Sequence, residues 1–484
     1  MQRYVLAACS SCFRAHFGLV HVVLLWPTLF LTMKKEKQAT QSKKRSTSED
    51  KDKKQDKAFM QGASVRHKID RSDLAEWKPK LRKRTPIDLL NASTKGRVLP
   101  LVKLKNERMA CSPFTYFRGA APVMAYDLSL SVHTGIATQL CGDAHVENFG
   151  AYDGGDGRLI FDLNDFDETI RGPFEWDIKR MTTSILLASG PAQEVDRGGK
   201  HAAKAFLESY CDLMIGLSKL PVLQIARFQV KRLGAVGPVS KILSAAERST
   251  PLHSRDQLTE ITKGGKRVFR NHPPVLRRVS GEEKAAVLSS LKAYRRSLAP
   301  ERQHFLSLFE PVDVAFKVVG TGSVGLRDYC VLLTGNGPDD PLFLQIKEET
   351  SSAYTSYLPK KAVAEKHNGR RVVDGQRAMQ LQSDPMLGWM AIAGRDYLVR
   401  QLNDHKATLD ATKLDPSALA EYALVCGEML ACGHARAGDA RTITGYLGGG
   451  KRFQQAMLEF ATAYAEQTID DWKDFLKQVP TKKR

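Results

Sequence analysis

Residues 141–148 read CGDAHVEN, and this stretch decides the fold that the rest of the chain has to support. Asp143 is followed five residues later by Asn148, with His145 between them. A loop with this spacing can present a carboxylate base to an attacking hydroxyl and an amide oxygen to a metal ion, as phosphoryl transfer requires. The same letters also suit a plain turn capped by Asx side chains, so the interpretation needs a second element.

That second element is an acidic segment at the end of a predicted strand, DLNDFDE at residues 162–168. Mg²⁺ prefers oxygen ligands, and a strand end is a typical place from which a carboxylate reaches it. Asp165 is the predicted metal ligand, with Asp162 and Asp167 as competitors. Asp177, twelve residues after Asp165, is predicted to be a structural acid that ties the loop to a helix. An acidic surface hairpin is the alternative.

A glycine-rich segment, GTGSVG at residues 320–325, lies far downstream between two β-rich runs. A dinucleotide-binding turn of this pattern would open a helix. Here a strand, a turn and a third strand ending in Lys347 follow, which is the order of the nucleotide-clamping lobe of a kinase. The alternative is a plain hairpin with an exposed lysine. The predicted nucleotide-binding residues are Gly320, Gly322, Ser323, Gly325 and Lys347.

The order of these elements predicts a circular permutation, with the catalytic loop first and the nucleotide-clamping lobe second. The predicted fold class is α+β, a two-lobed protein-kinase-like fold with a helical lobe and a small antiparallel sheet. The predicted segments are an apolar extension (1–32), a basic disordered arm (33–75), a catalytic-loop lobe (76–300), a glycine-loop sheet lobe (301–410) and C-terminal helices (411–484). Lys347 has no obvious acidic partner, and the open candidates are Glu348, Glu349 and Glu365.

Several motifs together resemble the bacterial domain of unknown function 2252 family. They are RM at 108–109, SPF at 112–114, FRGA at 117–120, GDAHVENFG at 142–150, FDLNDFDE at 161–168, GPFEWD at 172–177, GQR at 375–377, VRQL at 399–402 and HARAGD at 434–439. The resemblance covers about residues 70–475 and implies kinship without an activity. The form Gly-Asp-x-His-x-x-Asn, with the spacing from Asp165 to Asp177, is also similar to aminoglycoside- and choline-kinase-like enzymes. That similarity implies ATP and Mg²⁺ as cofactors.

Two arginines are candidates for phosphate or substrate contacts. Arg118 lies in a Phe-x-Arg-Gly turn, and a guanidinium suits bidentate phosphate binding. Arg400 lies in a polar island of a stretch that is expected to be mainly helical, from residue 363 to the end. A structural hydrogen-bonding role is the alternative for both. His145 is predicted to pack within its loop, since no His or Cys lies near it at metal-ligand spacing.

The chain of 484 residues carries a formal net charge of +20. Residues 33–85 hold 18 Lys or Arg against 8 Asp or Glu, so half of the excess positive charge lies in one short segment. Such a run is expected to be a solvated arm, and docking on nucleic acid or an anionic surface is the alternative.

The eight cysteines form no paired metal-ligand pattern with His, which favours a reducing cytoplasm. The first 32 residues are apolar, but they contain His and Pro and lack a small-residue cleavage site. An over-extended start before Met33 is the favoured interpretation, and a signal or anchor stays open. A cytoplasmic location is expected, without a membrane partner.

The leading hypothesis is an ATP- and Mg²⁺-dependent phosphotransferase acting on a hydroxyl, with a small molecule as the expected acceptor. Asp143 would be the base, Asn148 and Asp165 would hold Mg²⁺, and the glycine loop with Lys347 would hold the phosphates. The alternatives are a nucleotidyltransferase on the same fold, a non-catalytic module that binds nucleotide or nucleic acid, and a metal-dependent hydrolase. The sequence does not determine the acceptor or the oligomeric state.

Overall fold

The computed structural model describes residues 45–190, 198–231, 233–318, 320, 322–363, 365–402 and 406–479, with side chains from residue 57 onward except residue 362. The chain divides into two compact units, Met1–Lys53 and Lys54–Arg484. The predicted apolar extension, the start of the predicted arm and Thr321 of the glycine segment lie outside the described residues.

The chain before the first strand is helical, and prolines and polar caps set where its helices begin. The helices are α1 (Arg45–Lys68), α2 (Pro86–Ser93), α3 (Leu99–Met109), α4 (Pro113–Gly119) and α5 (Ala121–Leu130). Each helix from α2 to α5 has proline in its first turn, where the missing N–H costs nothing. Thr85 and Ser112 cap α2 and α4 by accepting hydrogen bonds from the amides of Asp88 and Thr115.

The segment predicted as a disordered arm (33–75) is helical where it is described, because α1 runs through it. This corrects the prediction for those residues. A Cβ at Gly62 would collide with the carbonyl oxygen of Thr442. A Cβ at Gly445 would likewise collide with that of Phe59. The two glycines let α1 approach a C-terminal helix closely, a form of packing that leaves no periodic apolar pattern in the sequence.

Four short strands form two antiparallel pairs that hold the two acidic segments. The strands are β1 (Ala137–Leu140), β2 (Phe149–Asp153), β3 (Leu159–Leu163) and β4 (Ile170–Pro173). The register pairs Leu140 with Ile170 and Phe149 with Leu163. Residues 141–148 and 164–169 both lie between these two pairs, so the register places the two segments opposite each other.

A helical region and three short strands follow. They are α6 (Glu175–Ala188), α7 (Lys200–Leu217), α8 (Val222–Arg227), α9 (Gly237–Arg248), α10 (Pro251–Leu258), β5 (Thr259–Ile261), β6 (Arg267–Phe269), β7 (Leu276–Arg278), α11 (Gly281–Ser297) and α12 (Pro300–Leu306).

The glycine segment connects two strands of an antiparallel sheet. The remaining strands of this sheet are β8 (Glu310–Lys317), β9 (Asp328–Thr334), β10 (Pro341–Glu349), β11 (Gly388–Ile392) and β12 (Arg395–Gln401), with helix α13 (Asn368–Met379) between β10 and β11. Together with β7 they form six strands in the order β11-β12-β10-β9-β8-β7. Side chains alternate along β10, so Leu344 and Ile346 enter an apolar core while Gln345 and Lys347 lie on the other face.

The chain from residue 363 onward is mainly helical, as expected, but the hairpin of β11 and β12 interrupts it and corrects the expectation for the stretch around Arg400. Ala393 and Gly394 turn the chain between the two strands with φ of 49° and 74°. Positive φ at both central residues suits a tight hairpin turn. An Ala-Gly pair is a weak turn signal in sequence, and Arg400 therefore lies on a strand rather than a helix.

Three C-terminal helices complete the chain: α14 (Pro416–Ala437), α15 (Ala440–Leu447) and α16 (Lys451–Leu476). They share one large apolar core with α6, α7 and the first two strand pairs, and the sheet has a second core of its own. The fold is thus α+β with small antiparallel sheets. Among the described helices, none is both long and apolar enough to cross a bilayer.

Candidate functional site

Asp177 holds the predicted catalytic loop against α6. Its two carboxylate oxygens accept hydrogen bonds from the amides of Cys141 (2.7 Å) and Gly142 (2.9 Å). His434 of α14 lies 3.2 Å from the same carboxylate, and the hydroxyl of Tyr210 lies 2.9 Å from the other ring nitrogen. The start of the loop is therefore anchored to three helices at once.

Asn148 joins the two acidic segments. Its side-chain amide donates to the carbonyl oxygens of Asp143 (3.0 Å) and Asp165 (2.9 Å), and its oxygen accepts from the Asp165 amide at 2.7 Å. The side chain is buried. The geometry gives Asn148 a bracing role between the segments, and its contribution as a metal ligand stays a prediction.

Asp143 lies at the cleft, and its carboxylate is held by an arginine that the sequence analysis did not identify. Arg180 of α6 is fully buried, and its guanidinium lies 2.5 Å from Asp143 Oδ1. The same guanidinium donates to the carbonyl oxygen of Phe117 (3.1 Å) and lies over its ring. The Asp143 side chain keeps 21% exposure, so it is held in place and still open to the cleft. A basic residue inside the apolar run of α6 was the available signal.

Lys347 of β10 crosses the cleft to the acidic segment after β3. Its ammonium group lies 3.3 Å from Asp165 Oδ1 and 2.5 Å from Asp167 Oδ2. Burial alone would raise the pKa of Asp165, but the charge of Lys347, the hydrogen bond with Asp167 and the charge of Arg400 together lower that pKa. Burial and the neighbouring Asp165 charge raise the pKa of Asp167. The structure thus brings Lys347 next to the acidic segment 162–168, and the sequence analysis had assigned both to one nucleotide site.

The three acids considered as partners for Lys347 have other surroundings. Glu348 lies on the opposite face of β10 and pairs with Arg327 and Arg395. Glu365 pairs with Arg370. Glu349 is buried, and burial together with the charge of Asp167 raises its pKa well above the ordinary value. The carboxylates that contact Lys347 come from the other side of the cleft.

The glycine segment connects β8 to β9 and closes over the cleft. Gly320 and Gly325 adopt positive φ of 70° and 98°, which glycine tolerates best. Arg97, just before α3, donates to the carbonyl oxygens of Gly322 (3.1 Å) and Val324 (2.7 Å). Arg108 also donates to the carbonyl oxygen of Gly320. The predicted loop therefore reaches the predicted site, pinned by arginines that the sequence did not single out.

The cleft between these elements has a volume of about 90 Å³. Its ionisable lining residues are Arg97, Lys105, Arg118, Asp143, His145, Asp165, Asp167, Glu168 and Glu349. Gly320, Gly322 and Ser323 line it as well. Asn148, Gly325 and Lys347 are not part of this lining, and Gly325 and Lys347 line another pocket that shares Ser323 with the cleft.

Two further lining residues have distinct environments. Arg118 forms an ion pair with Glu147 at 2.5 Å, and its Nε is buried without a hydrogen-bond partner among the described residues. His145 accepts from the amide of Glu147 (3.2 Å), and burial lowers its pKa to about 3, so it is neutral. Arg400 lies outside the cleft lining, in a second pocket with Lys406, and donates to the Asn164 carbonyl oxygen.

Lys105 is the main lining residue that sequence reasoning missed. It lies on the buried stripe of α3 with Leu101 and Met109, at four-residue spacing. Burial lowers its pKa to about 7. A lysine on an otherwise apolar helical stripe was the signal that could have found it.

The carboxylates fit a metal that arrives with a nucleotide. Among the residues that the structure describes, no group of three or more His, Cys, Asp or Glu could hold a metal ion alone. Mg²⁺ usually takes one or two carboxylates and completes its shell with phosphates and water. Asp165, with 49% exposure at the cleft, meets that requirement.

A family model described as an uncharacterized protein conserved in bacteria (DUF2252) matches residues 97–478, and the chain belongs to this family. The matched range includes every residue named above as lining the cleft. Comparison with curated proteins and with solved structures gave no match.

Proposed function

We propose that this family member is an ATP- and Mg²⁺-dependent phosphotransferase with a circularly permuted, protein-kinase-like arrangement. The contact between Lys347 and Asp165 carries the proposal, because it joins two elements 182 residues apart in the chain. In protein kinases a lysine on the third strand of the glycine-loop sheet pairs with nucleotide phosphates, and an aspartate nearby holds Mg²⁺. β8, β9 and β10 stand in that order, with the glycine segment between the first two.

The charges of the cleft support the same proposal. Asp165 is kept ionised by Lys347, which suits a metal-binding carboxylate. Bound Mg²⁺ would neutralise charge on the transferred phosphoryl group. When the nucleotide phosphates enter, Lys347 exchanges its carboxylate partners for them, and the glycine segment brings backbone amides close.

Asp143 is the proposed base. Arg180 fixes its carboxylate from one side, and the remaining exposure lets it accept the proton of an acceptor hydroxyl. Most of the rate enhancement would come from positioning and charge neutralisation, since this transfer needs little covalent chemistry from the protein. The proposed acceptor is a small molecule with a hydroxyl group.

The test is calorimetric titration of ATP with Mg²⁺ into the full chain and the variants Asp165→Ala, Lys347→Ala and Lys361→Ala. We expect binding to be lost in the first two variants and kept in the third, because Lys361 is exposed and away from the cleft lining. Binding that survives Lys347→Ala would contradict the permuted arrangement, and a parent that binds no ATP would contradict the function. Pyrophosphate instead of ADP among the products would identify a nucleotidyltransferase.

A further inference from the structure

Lys105 is the cation of the cleft that the proposed reaction leaves unused. It is 3% exposed and lines the cleft. It makes no hydrogen bond or ion pair with any residue in the described part of the chain. A buried ammonium group without a counter-ion is costly, and a bound anion would offset that cost.

The N-terminus of α5 lies at the same place. Gly119, Ala121 and Pro122 line the cleft beside Lys105, and no side chain caps the first turn of this ten-residue helix. Pro122 has no N–H, and the amides of Val123 and Met124 donate to the carbonyl oxygen of Ala120, so the Ala121 N–H is the donor of this turn that has no partner among the described residues. This N–H and the helix dipole favour negative charge at the end of the helix. Arg118, which precedes this turn, has a buried Nε without a partner among the described residues. Lys105, Arg118 and the first turn of α5 therefore line one small region.

The charged groups that act on Lys105 differ from those that act on Lys347, which lines another pocket. The charges that act on Lys105 are Arg97, Glu168 and Asp143. Those that act on Lys347 are instead Asp165, Asp167, Glu349 and Arg400. A group held by Lys105 would thus lie beside the proposed base rather than beside the proposed metal ligand.

We propose that Lys105, Arg118 and the N-terminus of α5 form an anion-binding subsite, which holds a phosphate or carboxylate group of the acceptor next to Asp143. The assignment to the acceptor rests on the proposed phosphotransferase function, whereas the anion site itself does not. The substrate class becomes a small anionic molecule with a hydroxyl group near its charge.

The subsite is tested by equilibrium dialysis of the full chain against radiolabelled sulfate at constant ionic strength. A hydrogen bond to a charged group contributes roughly 1.5–3 kcal/mol, so Lys105→Met should weaken sulfate binding about 10- to 100-fold. Arg118→Gln should weaken it as well. Lys103→Met should leave it unchanged, because Lys103 is exposed on the same helix. Wild-type protein that binds no sulfate, or Lys105→Met that binds it equally with a native circular dichroism spectrum, overturns the subsite.

A second titration, with sulfate and ATP together, distinguishes an acceptor subsite from a nucleotide subsite. Sulfate that binds together with ATP and Mg²⁺, with Lys105→Met reducing only sulfate binding, supports the acceptor subsite. Sulfate displaced by ATP, with both weakened equally by Lys105→Met, overturns it in favour of the nucleotide. If ATP does not bind but sulfate binding still depends on Lys105, the proposed phosphotransferase fails and the anion site stands.

Discussion

Two lysines of the candidate site, Lys105 in the cleft lining and Lys347 in the neighbouring sheet, are each 3% exposed, and their surroundings are opposite. Lys347 lies against Asp165 and Asp167, and their charges raise its pKa although burial alone would lower it. Lys105 has no such partner in the described part of the chain, and burial lowers its pKa to about 7. The comparison teaches that burial by itself does not determine the charge state of a lysine. The carboxylates within reach decide it.

The largest expected effect is the loss of stability on replacement of the paired lysine, Lys347. Lys347→Met leaves Asp165 and Asp167 without their cation, and removal of one partner from a buried pair typically costs 3–5 kcal/mol. We expect the free energy of unfolding to fall by about 3 kcal/mol, the lower end of that range, as measured by urea denaturation at pH 7. The half-exposure of Asp165 limits the effect, because water solvates part of that carboxylate.

The double variant Lys347→Met with Asp167→Asn sharpens this prediction. Removal of one of two adjacent carboxylates relieves their repulsion, so the double variant should recover part of the lost stability. A double variant less stable than Lys347→Met alone would show that Asp165 and Asp167 do not repel each other when Lys347 is absent.

Replacement of the unpaired lysine, Lys105, should raise the free energy of unfolding rather than lower it. Below pH 7 Lys105 is charged in both states, and the cost of burying that charge is present in full. Between about pH 7 and its ordinary pKa of 10.5, the folded state is neutral while the unfolded state still binds a proton, so stability rises with pH. Lys105→Met should therefore be more stable than wild type by on the order of 3 kcal/mol at pH 6, and by less at pH 9.

Urea denaturation of both proteins across this pH range measures the difference. The charged groups that act on Lys105 are Arg97, Glu168 and Asp143. Lys103→Met is the matched control, because Lys103 lies on the same helix but is exposed. A Lys105→Met protein less stable than wild type at pH 6 would show that the ammonium group is already compensated.

The smallest expected effect is on the pH dependence of anion binding. Sulfate keeps its charge between pH 6 and 8, whereas Lys105 loses its proton near pH 7. Sulfate affinity should fall roughly tenfold over that range, the equivalent of one weakened charged hydrogen bond. Lys105→Arg should make the affinity independent of pH, because a guanidinium does not titrate there. The same pH dependence in Lys105→Arg would locate the titrating group elsewhere.

Much of the cleft could be predicted from short-range pattern. The Asp143-to-Asn148 spacing, the acidic run around Asp165 and the glycine segment each have a local signature, because loops at strand ends need particular residues at fixed distances. The structure brings these segments into one cleft. Their chemical roles stay predictions that the titrations above address.

The other features depended on long-range partners and left only a weak local signal. Arg180 and Lys105 lie on buried helical stripes, where a basic residue is easily read as the edge of an apolar face. The hairpin of β11 and β12 and the helix at residues 45–68 were missed for a similar reason. The hairpin and the helix are stabilised by contacts with distant parts of the chain rather than by the propensities of their own residues.

The sequence by itself determined the residue types and spacings within the Asp143, Asp165 and glycine segments, since these follow from neighbouring positions along one loop or strand. Only the tertiary structure decided which lysine meets a carboxylate and which does not. Lys347 and Asp165 are far apart in the chain, and Lys105 and Lys347 look equally plausible as buried cations in a one-dimensional pattern. Coulombic interactions and desolvation depend on distances across the fold, and these distances are set only when the helices and the sheet pack.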